Sequence, residues 1–453
     1  MALVSMLTLI TVIWPSPLHA STLTGDTATA FGRLYQPSAL DGYISDEVIM
    51  KVLDAFDVPA LSTQYHLQEL DKFGSLRIYR MRILDSVIPP DKSTALSADP
   101  RIVFAEPNFL NQAPEARKQS GWAIGGDAGG YATQWAPAAL RLGEAHAITS
   151  GAGITVAVLD TGIYTAHPVF AGRLVAGFDF VDQDADPSEV GSDANPAFGH
   201  GTHVAGLVVL AAPGARIMPI RVLDPNGMGT LWTLAAGLEF AVDPDEDPST
   251  NDGAQVINLS LGTTQRTNLL REIGGDVTCR VGGLARGLAR GLARPAATAV
   301  TRCDLYGGAV IVAAAGNEGN TAPHYPAAEG VPGLLAVAAS TPGNRLAPFS
   351  TRGDWVSLAA PGERIISALP GNRWGVWSGT SMSAPLVAGA VALVRAANPA
   401  ISSTVTLAGL VTTRAATMCA TTMHRADAAA ALGLSVNTNP RACWYVLPLV
   451  MGP

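Results

Sequence analysis

Charged residues make up only 15% of this 453-residue chain and aromatic residues 6%, against 48% hydrophobic residues. That balance excludes a disordered polypeptide and describes a compact protein with an ample core. Basic residues are in deficit: 29 Lys and Arg stand against 37 Asp and Glu, a net charge of −8. The positive field that a phosphate backbone requires is missing, so nucleic acid is not an expected partner. Cysteine is rarer still. Cys279, Cys303, Cys419 and Cys443 include no C-x-x-C pair, which removes zinc-ribbon and thioredoxin-type chemistry. The apolar stretches Ala2–Trp14 and 384–398 fall short of the ~20 residues of a membrane span, so no membrane anchor is expected. The "GAG" at 151–153 lacks a third glycine and precedes its strand, so dinucleotide binding is not indicated.

What is present begins with "MALVSMLTLITVIWPSPLHA" at 1–20: an uncharged apolar run, a break at Pro15 and Pro17, and the small residue Ala20. This pattern reads as a secretory signal, and therefore as a secreted protein. In an exported chain the cysteines can act as staples. Among the three pairings that four cysteines allow, the local ones, Cys279–Cys303 and Cys419–Cys443, would each contribute ~2–4 kcal/mol; four buried thiols are the alternative.

The chain is long enough for two or three units. From about 41 to 109 the texture is ordinary α+β: "SLRIYRMRIL" (75–84) alternates as a half-buried strand should, and "DKSTALSADPRIVFAEPNFL" (91–110) reads as a helix, a turn, and a strand over 101–105. "NQAPEARKQSGWAIGGDAGG" (111–130) has no periodicity and reads as a linker between domains. Beyond it lie short aliphatic runs at 154–160, 216–224, 254–262, 308–317 and 334–340, separated by helical patterns at 203–212, 231–242 and 384–398. Unbroken apolar runs suit strands buried on both faces of a parallel sheet. The expected fold is α/β, with a mainly parallel sheet flanked by helices and a small α+β domain before it.

In such sheets ligand chemistry sits at the carboxyl ends of the strands. Asp160 ends "VAVLD", His200 opens "HGTHVAG", Asn317 ends "AAAGN", and Ser381 lies in "SGTSMSAP" ahead of a helix. Each alone reads as a turn or cap residue. Together, a carboxylate, an imidazole, an amide and a hydroxyl make up the kit for acyl transfer. His200 and His203 are spaced i, i+3 with Gly201 and Thr202 between them; a zinc-peptidase helix needs i, i+4 with an intervening Glu, so no metal site is expected there. Nor does Ser381 lie in the G-x-S-x-G of α/β-hydrolases.

"VAVLDTGI" (156–163), "HGTHVAG" (200–206), "AAAGNEG" (313–319) and "SGTSMSAP" (378–385) strongly resemble the four signature segments of the subtilisin-like serine peptidases, in that family's chain order, and the likeness runs from about 134 to 432. The resemblance implies Asp160 as orienting carboxylate, His200 as base and Ser381 as nucleophile. It implies Asn317 as oxyanion donor, and His203 as a packing residue. Ser260, Leu261 and Gly262 match the strand that pairs with substrate backbone, while Ala314 and Gly316 match the wall of the pocket before the scissile bond. "EVIMKVLD" (47–54), "SLRIYRMRI" and "DPRIVFAEPNFL" look like the family's inhibitor-type propeptide.

The implied organisation is a signal at 1–20, a propeptide at 21–117, a peptidase domain at 118–433 and a tail at 434–453. The implied activity is that of a secreted, self-processing serine endopeptidase, with an exopeptidase or peptide ligase on the same triad as the alternative. Its partners would be protein or peptide substrates and its own propeptide as intramolecular inhibitor, and it would act as a monomer. No cofactor is required. The calcium loop that many relatives carry after H-G-T-H-V-A-G is missing here; Asp182, Asp184 and Asp186 are the residual calcium candidate and read more simply as a solvated loop. The repeat "GGLARGLARGLARPAA" (282–297) reads as an expansion in a solvent loop.

Overall fold

The structure, a computed structural model, describes residues 42–114, 122–247, 249–279, 307–419 and 421–436. The signal at 1–20, the Arg-containing repeat, Cys303, Cys443 and most of the tail lie outside the described residues. The described residues fall into one compact unit.

The N-terminal part contains β1 (Tyr43–Val52), α1 (Val58–Tyr65), β2 (Leu67–Phe73), β3 (Ile78–Ile83), α2 (Pro89–Ser97) and β4 (Ile102–Gln112). The strands form an antiparallel sheet in the order β2-β3-β1-β4. Strand alternation sorts β1 onto two faces. Val48, Met50 and Val52 meet Leu61 and Leu96 of the two helices in a small core. Ile49, with Ile78 and Phe104, points the other way and joins the core of the following domain beside Trp232 and Leu269. One face therefore folds this part and the other docks it.

The following domain starts with β5 (Trp122–Ile124), β6 (Thr155–Asp160), β7 (Phe178–Asp179) and α3 (His200–Ala211). It continues through β8 (Arg216–Arg221), β9 (Met228–Thr230), α4 (Leu231–Val242), β10 (Val256–Leu259), α5 (Asn268–Val277), β11 (Val310–Ala314) and β12 (Leu334–Ser340). The last segments are β13 (Leu358–Pro361), β14 (Ile365–Leu369), β15 (Arg373–Trp377), α6 (Thr380–Ala397), β16 (Ala416–Thr417) and β17 (His424–Arg425). Nine strands form the main sheet in the order β16-β17-β13-β12-β11-β10-β6-β8-β7, parallel throughout except at β16–β17.

The apolar runs are explained by burial on both faces. Val156 and Val158 of β6 pack with Val204 of α3 and Leu386 of α6, whereas Ala157 and Leu159 pack with Leu234 of α4 and Ile273 of α5. Truncating one such residue, for example Leu386→Ala, is expected to cost about 2–5 kcal/mol. By length and composition α6 could cross a membrane, but 89% of it is buried inside the protein. Its Gly389 lies against α3, where an added Cβ would stand 2.4 Å from that of Ala211.

The α/β reading and the parallel sheet hold. Two boundaries differ. Helices expected from 203 and 384 begin at His200 and Thr380, because their first turns are polar and carry no apolar period. The 111–130 stretch is not a linker throughout: Asn111 and Gln112 end β4, Trp122–Ile124 is a strand paired with β15, and a helix follows at Ala128–Thr133. Their partners come from distant segments, which local periodicity does not reveal.

Candidate active site

Parallel strands that start in register finish at one edge. Leu159 of β6 pairs with Leu259 of β10, and Leu259 with Ala313 of β11. The next row along that edge is therefore Asp160, Ser260 and Ala314. Asp160 is fully buried, and its Oδ1 accepts from His200 Nδ1 at 2.6 Å and from the Thr161 amide at 2.8 Å. The imidazole proton thus sits on Nδ1, and Nε2 carries the basic lone pair. The approach is close enough to require glycine next to the histidine. A Cβ on Gly201 would stand 2.1 Å from the Gly162 carbonyl oxygen.

Ser381 is the second residue of α6, at the positive end of the helix dipole. Its carbonyl accepts from Ser260 Oγ at 3.0 Å, and its hydroxyl donates to the Ser260 carbonyl at 3.3 Å. Ser260 Oγ is itself held by Asn258 Nδ2 at 3.0 Å. The structure thus ties the nucleophile candidate to the strand adjoining Asp160. Asn317 lies just beyond β11. Its Oδ1 accepts from the amide and the hydroxyl of Thr380, at 2.9 and 3.0 Å. This settles which end of the amide is oxygen and turns the NH2 end away from Thr380. Gly316 is anchored to the same hydroxyl by its amide, at 3.1 Å, while Ala314 is packed in the core layer with Met382.

His203 behaves as a packing residue. It is fully buried, lies flat on Trp377 at 4.5 Å between ring centroids, and donates from Nε2 to the Gly375 carbonyl at 3.2 Å. Burial holds it neutral, with a pKa pushed down to about 3.

Beside this edge runs a backbone lane that the chain itself occupies. β4 pairs antiparallel with β9 through Leu110–Thr230, Asn111–Gly229 and Gln112–Met228. On its other side Gln112 exchanges two hydrogen bonds of 2.9 Å with Gly262, and the Ala113 amide donates to the Gly227 carbonyl at 2.9 Å. The "SLG" segment thus accepts an extended strand from residues 110–113, a β-augmentation contact. The same N-terminal part caps two helices. Glu106 accepts from the amides of Asn268 and Leu269 at 2.8 and 2.9 Å, at the start of α5. Asn108 Oδ1 accepts from the Trp232 amide at 3.2 Å, at the start of α4. Trp232 also donates its indole N–H to Asp71 at 2.9 Å and stacks on Phe73 at 4.4 Å, and Lys51 pairs with Glu272 at 2.6 Å.

Of the residual calcium candidates, Asp182 is paired with Arg221, which also holds Asp179. Asp184 and Asp186 cap their own turn through the amides of Asp186 and Ser188. Elsewhere, one oxygen each from Asp243, Asp245 and Asp252 lie within 4.8 Å of one another, and Thr250 already bonds the latter two. Cys279 and Cys419 are not free thiols; the expected pairings involve residues outside the described ones.

Several residues escaped the sequence reading: Asn258, Thr380, Thr161, Thr202 and Glu189. The threonines stand inside the quoted motifs and could have been suspected from their positions. Glu189 carries no local signal. Its carboxyl accepts from Thr161 Oγ1 at 2.6 Å and from Thr202 Oγ1 at 2.7 Å. Burial pushes its pKa up to about 7, a rise that these hydrogen bonds oppose and the charge of Asp160 assists.

With this geometry in view, likeness to known proteins becomes informative. Residues 151–437 match the model of the subtilase family. The chain is 34% identical over 311 residues to a thermophilic serine proteinase of Bacillus sp. (strain AK1), covering 66% of this chain and 65% of that protein. It is 35% identical over 271 residues to thermitase of Thermoactinomyces vulgaris, covering 58% of this chain and 81% of thermitase. Subtilisin BL of Lederbergia lenta is 35% identical over 277 residues, covering 59% and 84% of the two chains. In fold, the chain is similar to fervidolysin from Fervidobacterium pennivorans, with a TM-score of 0.66 at 24% identity, over 88% of this chain and 62% of that one. The chain thus spans just under two thirds of the length of the first relative and of the solved structure. Matched by the family model over more than half its length, with the four signature segments gathered on one sheet edge, the chain belongs to the subtilase family.

Proposed function

We propose that the protein is a serine endopeptidase, exported through its 1–20 segment and made as a zymogen that cuts itself. The carrying observation is the Asp160–His200 hydrogen bond of 2.6 Å at the same edge as Ser381, beside a lane in which Gln112 is already paired with Gly262. In this reading Ser381 Oγ attacks the carbonyl carbon of a strand bound in the lane while His200 Nε2 takes the hydroxyl proton. Asp160 stabilises the resulting imidazolium. The carbonyl electrons move onto oxygen, where the Asn317 NH2 and the Ser381 backbone N–H donate to it. Collapse breaks the C–N bond, and His200 returns its proton to the leaving amine. Water, activated by the same imidazole, then frees the acyl group and regenerates Ser381.

The N-terminal part is the first substrate in this scheme. With Gln112 opposite Gly262 in an antiparallel pair, residue 114 falls opposite Ser260, whose carbonyl accepts from Ser381 Oγ. The bond following Pro114 is therefore assigned as the maturation site, within the 111–130 stretch. The part then stays in the lane as an inhibitor, held by the Glu106 and Asn108 caps. No cofactor enters the scheme, and substrates are proteins or peptides in extended form. N-terminal sequencing of the matured protein tests the assignment: a start at Glu115 is expected, and a start beyond Trp122 would contradict it. A Ser381→Ala chain is expected to remain uncut in a protease-free host; normal processing of that variant would sink the zymogen reading.

A further inference from the structure

We propose that Glu189 is a positioning residue that clamps the Asp160 turn to the start of the His200 helix, setting the Asp160–His200 geometry; this rests on the peptidase reading above. With the Glu189 carboxyl ionised, above its pKa of about 7, the hydrogen-bond directions follow. The Gly201 amide donates to Thr161 Oγ1 at 2.9 Å, so the Thr161 hydroxyl proton is directed to Glu189 Oε1, at 2.6 Å. The Tyr164 amide donates to Thr202 Oγ1 at 2.8 Å, so the Thr202 hydroxyl proton is directed to Glu189 Oε2, at 2.7 Å. The Thr202 amide adds a third donor at 3.2 Å. Every one of these neighbours presents hydrogen to Glu189, an arrangement that suits a carboxylate and leaves a carboxamide NH2 facing donors.

Two further features make this a clamp on geometry. Thr161 follows Asp160 directly and donates its amide to the Asp160 carboxylate at 2.8 Å, while Thr202 is two residues beyond His200 on the first turn of α3. Both threonines are fully buried. Glu189 thus bridges the two segments that carry the carboxylate and the imidazole, from a third segment that touches neither reacting atom. Hydrogen bonds to an ionised acceptor are the stronger kind, and misplacement of a catalytic pair by about 1 Å costs on the order of 100-fold in rate.

The test uses the full chain, matured, with active sites counted by burst titration and kinetics read on a chromogenic peptide amide. Glu189→Gln is expected to lower kcat per titrated site by roughly 10- to 100-fold with KM unchanged. Thr161→Val, which removes one donor, should fall in the same direction, and Thr161→Ser, which keeps it, should recover most of the rate. The Glu189→Gln/Thr161→Val double variant should lose little more than the worse single variant, because the two act as one unit. Wild-type kcat in Glu189→Gln, or a loss seen wholly in KM, would overturn the inference. If Glu189→Gln does not mature, the Thr161 pair decides: equal rates for Ser and Val would also overturn it. Failure of the wild-type chain to cleave any peptide, or activity in Ser381→Ala, would instead refute the peptidase reading.

Discussion

The candidate site at the carboxyl edge of the main sheet and the packing around it both bury polar side chains, yet use them differently. In the surrounding packing, His203 lies flat on Trp377, bonded to Gly375, and Ser383 is bonded to the carbonyls of Ala360 and Pro361. These groups lock segments together. At the edge, the bonds fix one end of a group and so aim the other. Asp160 accepts from Nδ1 of His200, Thr380 donates to the oxygen end of Asn317, and Ser260 holds the backbone of Ser381. Two histidines three residues apart on one helix thus meet opposite fates. The lesson is that a single buried hydrogen bond can serve either purpose: from Asp160 it sets which ring nitrogen of His200 stays basic, and from Gly375 it fixes His203 in its packing against Trp377.

The comparison breaks most visibly at the proposed nucleophile. Ser381→Ala should remove activity by about the 10⁶-fold that loss of the nucleophile costs in subtilisin, a relative, measured on peptide hydrolysis. Asn317→Ala should lower kcat by roughly 10²–10³ with little change in KM, the range known for the subtilisin oxyanion amide. A raised KM at constant kcat would place Asn317 in ground-state binding and blur the distinction between aimed and merely locking groups. Glu106→Ala probes the docking face: with two helix amides uncapped at α5, the cleaved N-terminal part should be released about 10-fold faster in a gel-filtration time course.

His203 should show the smallest effect on activity and a clear one on stability. His203→Phe is expected to keep kcat per active site close to wild type. The pH dependence has a definite sign. His203 has a pKa pushed down to about 3 in the folded chain against about 6.5 unfolded, so its contribution is fully present above 6.5 and is lost as pH falls towards 3. Denaturant titrations of a Ser381→Ala background at several pH values should lose stability across that window, and less steeply with His203→Phe. An unchanged slope would deny His203 its buried, neutral role.

Much of this was legible in advance. The runs at 231–242 and 334–340 became α4 and β12 without adjustment, because long periodic or continuously apolar segments reflect burial directly. The extension of β4 to Gln112 was not legible, since its partners Met228 and Gly262 come from other parts of the chain. Glu189 was equally hidden. Its role arises from Thr161 and Thr202, 28 and 13 residues away, and a lone glutamate in an acidic loop looks like any solvated charge.

The sequence by itself determined the α/β class, the strands buried on both faces and the four motif residues, two at or after strand ends and two at helix starts, because side-chain periodicity and short-range spacing are properties of neighbours along the chain. Only the tertiary structure decided which nitrogen of His200 bears the proton, which end of Asn317 is the donor, which carboxylate clamps the pair and whose strand fills the lane beside Gly262. Those outcomes depend on donors and acceptors meeting within about 3 Å after distant segments have packed, and no local pattern encodes that meeting.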